Sequence, residues 1–108
     1  MIYELRIYTA VPGRLPALIS RFQNRTLAIW DKHGIRQAGF WTTAIGGSNH
    51  ELTYLLAWES LAEREKKWPA FQSDPDWIAA RADSEKDGPI LTHFTNTILQ
   101  PTSFSSVK

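Results

Sequence analysis

The chain is predicted to fold as an α+β domain, an antiparallel sheet with helices against one face. Three observations lead there. Apolar and polar residues alternate from Ile2 to Ala10, the two-residue period of a strand. Leu15, Leu18, Ile19, Phe22, Thr26, Ile29, Trp30 and His33 then recur at helical spacing. Turn signals and a helix-capping box divide the remainder into two strands, a helical region and a last strand. At 108 residues the chain is read as a single domain, 1–108.

Each element has its own punctuation. Tyr3, Leu5 and Ile7 point to one side of the first strand and Glu4, Arg6 and Tyr8 to the other; Pro12-Gly13 ends it. The first helix stops at Gly34, a residue suited to a left-handed C-terminal cap. Ile35 to Ile45 and Glu51 to Glu59 read as strands joined by the hairpin signal Gly46-Gly47-Ser48-Asn49. Ser60-Leu61-Ala62-Glu63 is a capping box opening a helix to about Gln72. Pro69 lies inside that helix, and the hydrogen bond it removes predicts a kink or break. Asp74 caps a new helical segment with Pro75 at its first position, carrying Trp77, Ile78 and Arg81 and ending near Gly88-Pro89. Ile90 to Gln100 is the last strand, and Thr102 to Lys108 a tail. The order β-α-β-β-α-(α)-β is the ferredoxin-like arrangement.

Composition narrows the functional classes. The net charge is +1, and the bases are interleaved with acids as in Glu63-Arg64-Glu65-Lys66-Lys67, a solvated helix face and not a nucleic-acid stripe. Without cysteine there is no disulfide, thiolate metal site or thiol nucleophile. No stretch approaches the ~18 apolar residues of a membrane span. The first strand starts at Ile2 and leaves no room for a leader, so a cytoplasmic, bacterial protein is expected.

The third strand predicts a partner. Leu52, Tyr54, Leu56 and Trp58 occupy one side, Thr53, Leu55 and Ala57 the other. A strand apolar on both faces is covered on both faces, and one helical layer covers only one. A homodimer packing sheet against sheet is therefore expected. The alternative is a tail, Phe104 included, folded across the open sheet; seven residues are too few to cover it.

With the elements laid out, the chain resembles NIPSNAP-type domains from Tyr3 to about Phe104. The matching residues are Glu4-x-Arg6-x-Tyr8, Pro12-Gly13, Trp58 followed by Arg64, Asp74-Pro75-x-Trp77, and Pro101-x-x-Phe104-Ser105. The resemblance implies a dimeric α+β barrel, similar in fold to stress-responsive barrel proteins, small monooxygenases and muconolactone isomerases. Those relatives place a pocket between sheet and helices, though fold alone does not transfer chemistry.

Glu4 and Arg6 alternate with core positions and share a face, as the polar floor of a pocket in which Arg6 holds an anionic or carbonyl oxygen, or as an ion pair at a dimer interface. Tyr8 donates a proton to substrate or caps the same network. His93 shares a face with Thr95 and Thr97 and is the general acid/base candidate. Tyr54, Trp41, Trp58 and Trp77, with Glu4, make up the ligand-binding set; Trp30 reads as core, and Trp68 as a residue pinning the Pro69 kink. His33 ends the first helix and His50 sits in the hairpin loop; the three histidines lack paired spacing, so no metal site is expected, nor any cofactor.

Haem-degrading relatives use a histidine in the second helical region and an asparagine on the first strand; Leu61 to Gln72 and Tyr3 to Ala10 lack them. No phosphate loop or Gly-x-Ser-x-Gly elbow exists. Two readings remain. One is a homodimeric binding domain for a small apolar or aromatic molecule or a protein partner. The other is a cofactor-independent monooxygenase or isomerase in which Arg6 and Tyr8 polarise oxygen and His93 moves protons.

Overall fold

The computed structural model describes residues 1–108. Strands β1 (Ile2–Ala10), β2 (Arg36–Thr42), β3 (Glu51–Trp58) and β4 (Leu91–Leu99) form one antiparallel sheet in the order β2-β3-β1-β4. The first helical stretch is α1 (Leu15–Arg21), a π-helical turn (Phe22–Thr26) and α2 (Leu27–His33); α3 (Leu61–Gln72) and α4 (Pro75–Ser84) follow β3. The ferredoxin-like order expected from the sequence is present.

Local chemistry explains most boundaries. Gly34 takes the left-handed conformation at φ 69°, and Ile35 N–H turns back to the Trp30 carbonyl, closing α2. The Ser60 hydroxyl accepts from Glu63 N–H at 3.2 Å, while the Glu63 carboxylate accepts from Glu59 N–H, one residue before the cap. The Asp74 carboxylate accepts from Asp76 N–H at 2.8 Å and also binds His33 Nε2 at 2.6 Å and Lys32, so it caps α4 and clasps it to the end of α2.

Several boundaries differ from expectation. Pro69 neither breaks nor ends its helix: α3 runs through it to Gln72. Proline forfeits one bond, only a short turn follows it, and the Pro69 carbonyl is capped by both N–H and hydroxyl of Ser73. β2 stops at Thr42 rather than Ile45, α4 stops at Ser84, and Ile45 stands 98% exposed in the hairpin loop. The first helix contains a π turn, in which Leu27 N–H reaches back five residues to the Phe22 carbonyl.

The core lies between the helices and one sheet face. Trp58, Tyr54, Leu56 and Leu52 from β3 meet Leu18, Phe22, Trp30, Phe71 and Trp77 from the helices. Each large side chain so buried contributes about 2–3 kcal/mol of transfer free energy. Registers Glu4↔Leu56 and Arg6↔Tyr54 place Glu4, Arg6 and Tyr8 on this helix-facing side. The polar side of β1 is thus the interior one, and the apolar set Leu5 and Ile7 faces the open side with Thr53 and Leu55 of β3. The tail crosses one end of that open face, where Pro101, Thr102, Ser105 and Val107 share a groove with Tyr3, Leu55 and Leu99; Phe104 points away, 87% exposed. β4 is an edge strand, with Phe94, Ile98 and Leu99 all exposed.

Candidate functional site

The interior of β1 holds a charged cluster. Glu4 is fully buried and receives five hydrogen bonds. Arg6 Nη1 (2.8 Å), Asn96 Nδ2 (2.9 Å) and Arg64 Nη2 (3.2 Å) donate to one carboxylate oxygen; Arg64 Nε (2.8 Å) and the Trp58 indole N–H (3.1 Å) donate to the other. Arg6, 4% exposed, donates from Nε to the Tyr54 hydroxyl at 2.9 Å and from Nη2 to the Tyr8 hydroxyl at 3.2 Å. Its guanidinium lies 4.6 Å from the Trp68 ring centre and 5.0 Å from that of Phe94, within cation–π range.

These contacts set the protonation states. Burial by itself raises the Glu4 carboxyl, but the hydrogen bonds from Arg64 and Asn96 and the charge of Arg6 outweigh it, holding the pKa at about 2. Burial lowers Arg6, and the neighbouring Tyr54, Tyr8 and Glu4 more than compensate, so it stays a cation. The Tyr54 phenol is pushed up, chiefly by burial. Every nitrogen of Arg6 is engaged and Glu4 is saturated with donors, so the cluster joins strands to helix and leaves neither group free to move a proton.

The sheet separates the residues expected to act together. Arg6 and Tyr8 face the helices, while His93 pairs with Thr9 on the opposite face. There His93 is exposed, its ring nitrogens 3.4 Å from the Thr9 hydroxyl and 3.1 Å from that of Thr92. A strand alternates its side chains, so an odd-numbered offset in register puts His93 across the sheet from the Arg6–Tyr8 pair. In the expected ligand-binding set, Glu4, Tyr54 and Trp58 are packed into the core, and Trp77 is buried against Phe71 with ring centres 4.9 Å apart.

Of that set, Trp41 borders an apolar groove, a cavity of about 340 Å³ between the first helical stretch and β2. Ile19, Phe22, Gln23 and Leu27 line one side; Phe40, Trp41, Thr42 and Leu52 line the other. Beneath it Phe40 stacks on Tyr54 (4.8 Å, 18°), and Phe22 meets Phe40 edge-on at 5.2 Å. Its polar lining residues are Gln23 and Thr42. The π turn supplies Phe22 and Gln23 to the wall, and such turns recur at functional sites. Sequence reasoning missed Phe22 and Phe40 as lining residues because each also completes a core stripe, and a one-residue widening of a helix leaves the apolar pattern nearly unchanged.

The NIPSNAP family model matches residues 3–106. A NIPSNAP family protein of unknown function from Agrobacterium tumefaciens superposes with a TM-score of 0.87 at 25% identity, covering 100% of this chain and 94% of that one. An uncharacterised NIPSNAP-like domain protein from Burkholderia xenovorans gives 0.85 at 28% identity, covering 96% and 87%. A protein from Nitrosomonas europaea suggested to be an antibiotic biosynthesis monooxygenase shares the fold alone, at 0.64 and 10% identity over 94% and 98%. No curated protein matches. No helix is long and apolar enough to cross a membrane. The chain belongs to the NIPSNAP family.

Proposed function

We propose that this chain is a homodimeric binding domain for a small apolar or aromatic molecule, held in the groove between the π turn and β2. The observation that carries the reading is the groove itself. It is a concave apolar surface lined by Phe22, Phe40, Leu27 and Leu52 with a polar residue on either wall, the usual composition of a small-molecule site. The reading replaces the polar floor at Glu4 and Arg6, whose donors and acceptors are already spent within the protein. It also favours binding over the monooxygenase or isomerase alternative, which needs His93 beside Arg6 and Tyr8.

The dimer is supported by what the single chain leaves uncovered. Leu5, Ile7 and Leu55 are only half-buried on the open sheet face, and β4 presents an edge without Asp, Glu, Lys or Arg and with apolar residues on both sides. Such an edge invites pairing or coverage. The relatives of known structure named above are bacterial, which supports a bacterial origin, and a cytoplasmic location is part of the same proposal.

The test uses N-phenyl-1-naphthylamine, an uncharged aromatic probe whose fluorescence rises on entering an apolar site. The wild-type chain is expected to bind it saturably. Ile19→Glu places a charge on the groove wall at a position already 37% exposed, so it is expected to abolish binding without lowering Tm. Equal probe binding by the two proteins would sink the groove as the site.

A further inference from the structure

We propose that a second cleft, between α1 and the end of α4, is an oxyanion site that takes a small phosphate or carboxylate. The cleft has a volume of about 390 Å³, and Arg14, Arg21 and Arg25 all line it. Two of these arginines are poorly compensated. Arg21 is 6% exposed, yet its nearest carboxylate oxygen, on Glu85, is 3.8 Å away and also bound by Arg81 at 3.2 Å. Arg14 has no carboxylate partner and gives its Nη2 hydrogens to the neutral carbonyls of Ser84 and Gly88.

The donors left over identify the ligand chemistry. Arg21 uses only Nη1, toward Ser84 Oγ at 3.2 Å. Its Nε is buried without an acceptor, and its Nη2 makes no hydrogen bond within the chain. Nε and Nη2 form the side-on edge of a guanidinium, the edge that grips two oxygens of one oxyanion. Arg14 Nε is a second buried donor without an acceptor in the same cleft. Buried donors are rarely left unpaired, because an unmet donor keeps the cost of losing its water. An oxyanion satisfies both and neutralises the buried charge on Arg21. Of the acids in the cleft, Asp83 is already paired with Arg25 at 3.3 Å, and Asp87 is exposed. Trp77 covers one face of the Arg21 guanidinium at 5.2 Å, leaving its edge as the approach.

The experiment follows the arginine Nε–H resonances of the ¹⁵N-labelled full chain. Sodium phosphate is added at constant ionic strength, with acetate and chloride as separate arms. Saturable shifts at Arg21 and Arg14, with Kd of about 1 mM or tighter, are expected for at least one of the oxyanions. Saturation by phosphate alone assigns a phosphate ligand, and by acetate alone a carboxylate ligand. Arg21→Lys keeps the charge but loses the two-pronged edge and should weaken binding about tenfold. Arg14→Gln, at the half-exposed rim, is the second variant, should Arg21→Lys fail to fold, and should weaken binding in the same direction. Shifts that stay linear and match the chloride arm, or unchanged affinity in Arg14→Gln, would overturn the proposal.

Discussion

Arg64 donates from Nε to Glu4 Oε1 at 2.8 Å, joining α3 to the central strand β1 across sixty positions of chain. With Arg6, Trp58 and Asn96 on the same carboxylate, one side chain ties β1, β3, β4 and α3 together. Two guanidinium groups share one buried acid.

Removing that acid leaves Arg6 without a counter-ion in the interior, while Arg64 keeps Glu65 at 2.8 Å. Glu4→Gln keeps the shape and loses the charge, and should destabilise the chain by about 3 kcal/mol or more. Urea unfolding of variant and wild type measures it. An unchanged midpoint would show that the cluster does not hold the layers together.

The same carboxylate makes stability depend on pH. Its folded pKa of about 2 lies below the ordinary carboxylate value of 4.5. The contribution is therefore fully present above about pH 4.5 and is lost as pH falls toward 2. Asp74 is lowered through Lys32, His33 and the Asp76 amide, and contributes with the same sign. The wild-type urea midpoint should fall over this acid range, and the Glu4→Gln midpoint should fall less steeply.

Asp74 is both cap and clasp. Asp74→Ala removes the acceptor of Asp76 N–H, frees His33 and leaves Lys32 only Asp76, so the thermal midpoint should drop by about 5 °C or more. Asp74→Asn, which retains the capping oxygen, should recover part of the loss. Full recovery would assign the effect to the cap and none to the charge.

Gly39 sits at a bulge in β2 with φ 127°, and the Trp41 ring lies where a side chain at 39 would project, 2.5 Å from an added Cβ. Gly39→Ala should cost about 1–3 kcal/mol and alter the near-ultraviolet circular dichroism through displaced Trp41. A spectrum identical to wild type would place the Trp41 ring elsewhere.

What could be read from the sequence was what depends on neighbours in the chain. Gly34, Ser60, Asp74 and Pro75 mark helix ends by local hydrogen bonding, and β3 shows its two apolar sides by alternation alone. The facing of β1 was not readable, because alternation separates Glu4, Arg6 and Tyr8 from Leu5 and Ile7 without saying which set is interior. That choice is made by pairing with β3 and by Arg64, which reaches Glu4 from another element. Asn96 and Phe94 carry no local sign of lying beside Glu4 and Arg6. The groove depends on the π turn, whose extra backbone residue leaves the helical stripe from Leu15 to His33 intact.

Native mass spectrometry of freshly purified protein tests both the homodimer and its small apolar ligand. The expected result is twice the chain mass with a retained small neutral adduct, and a monomer for Ile7→Lys on the open sheet face. A bare monomer for the wild-type chain would contradict it.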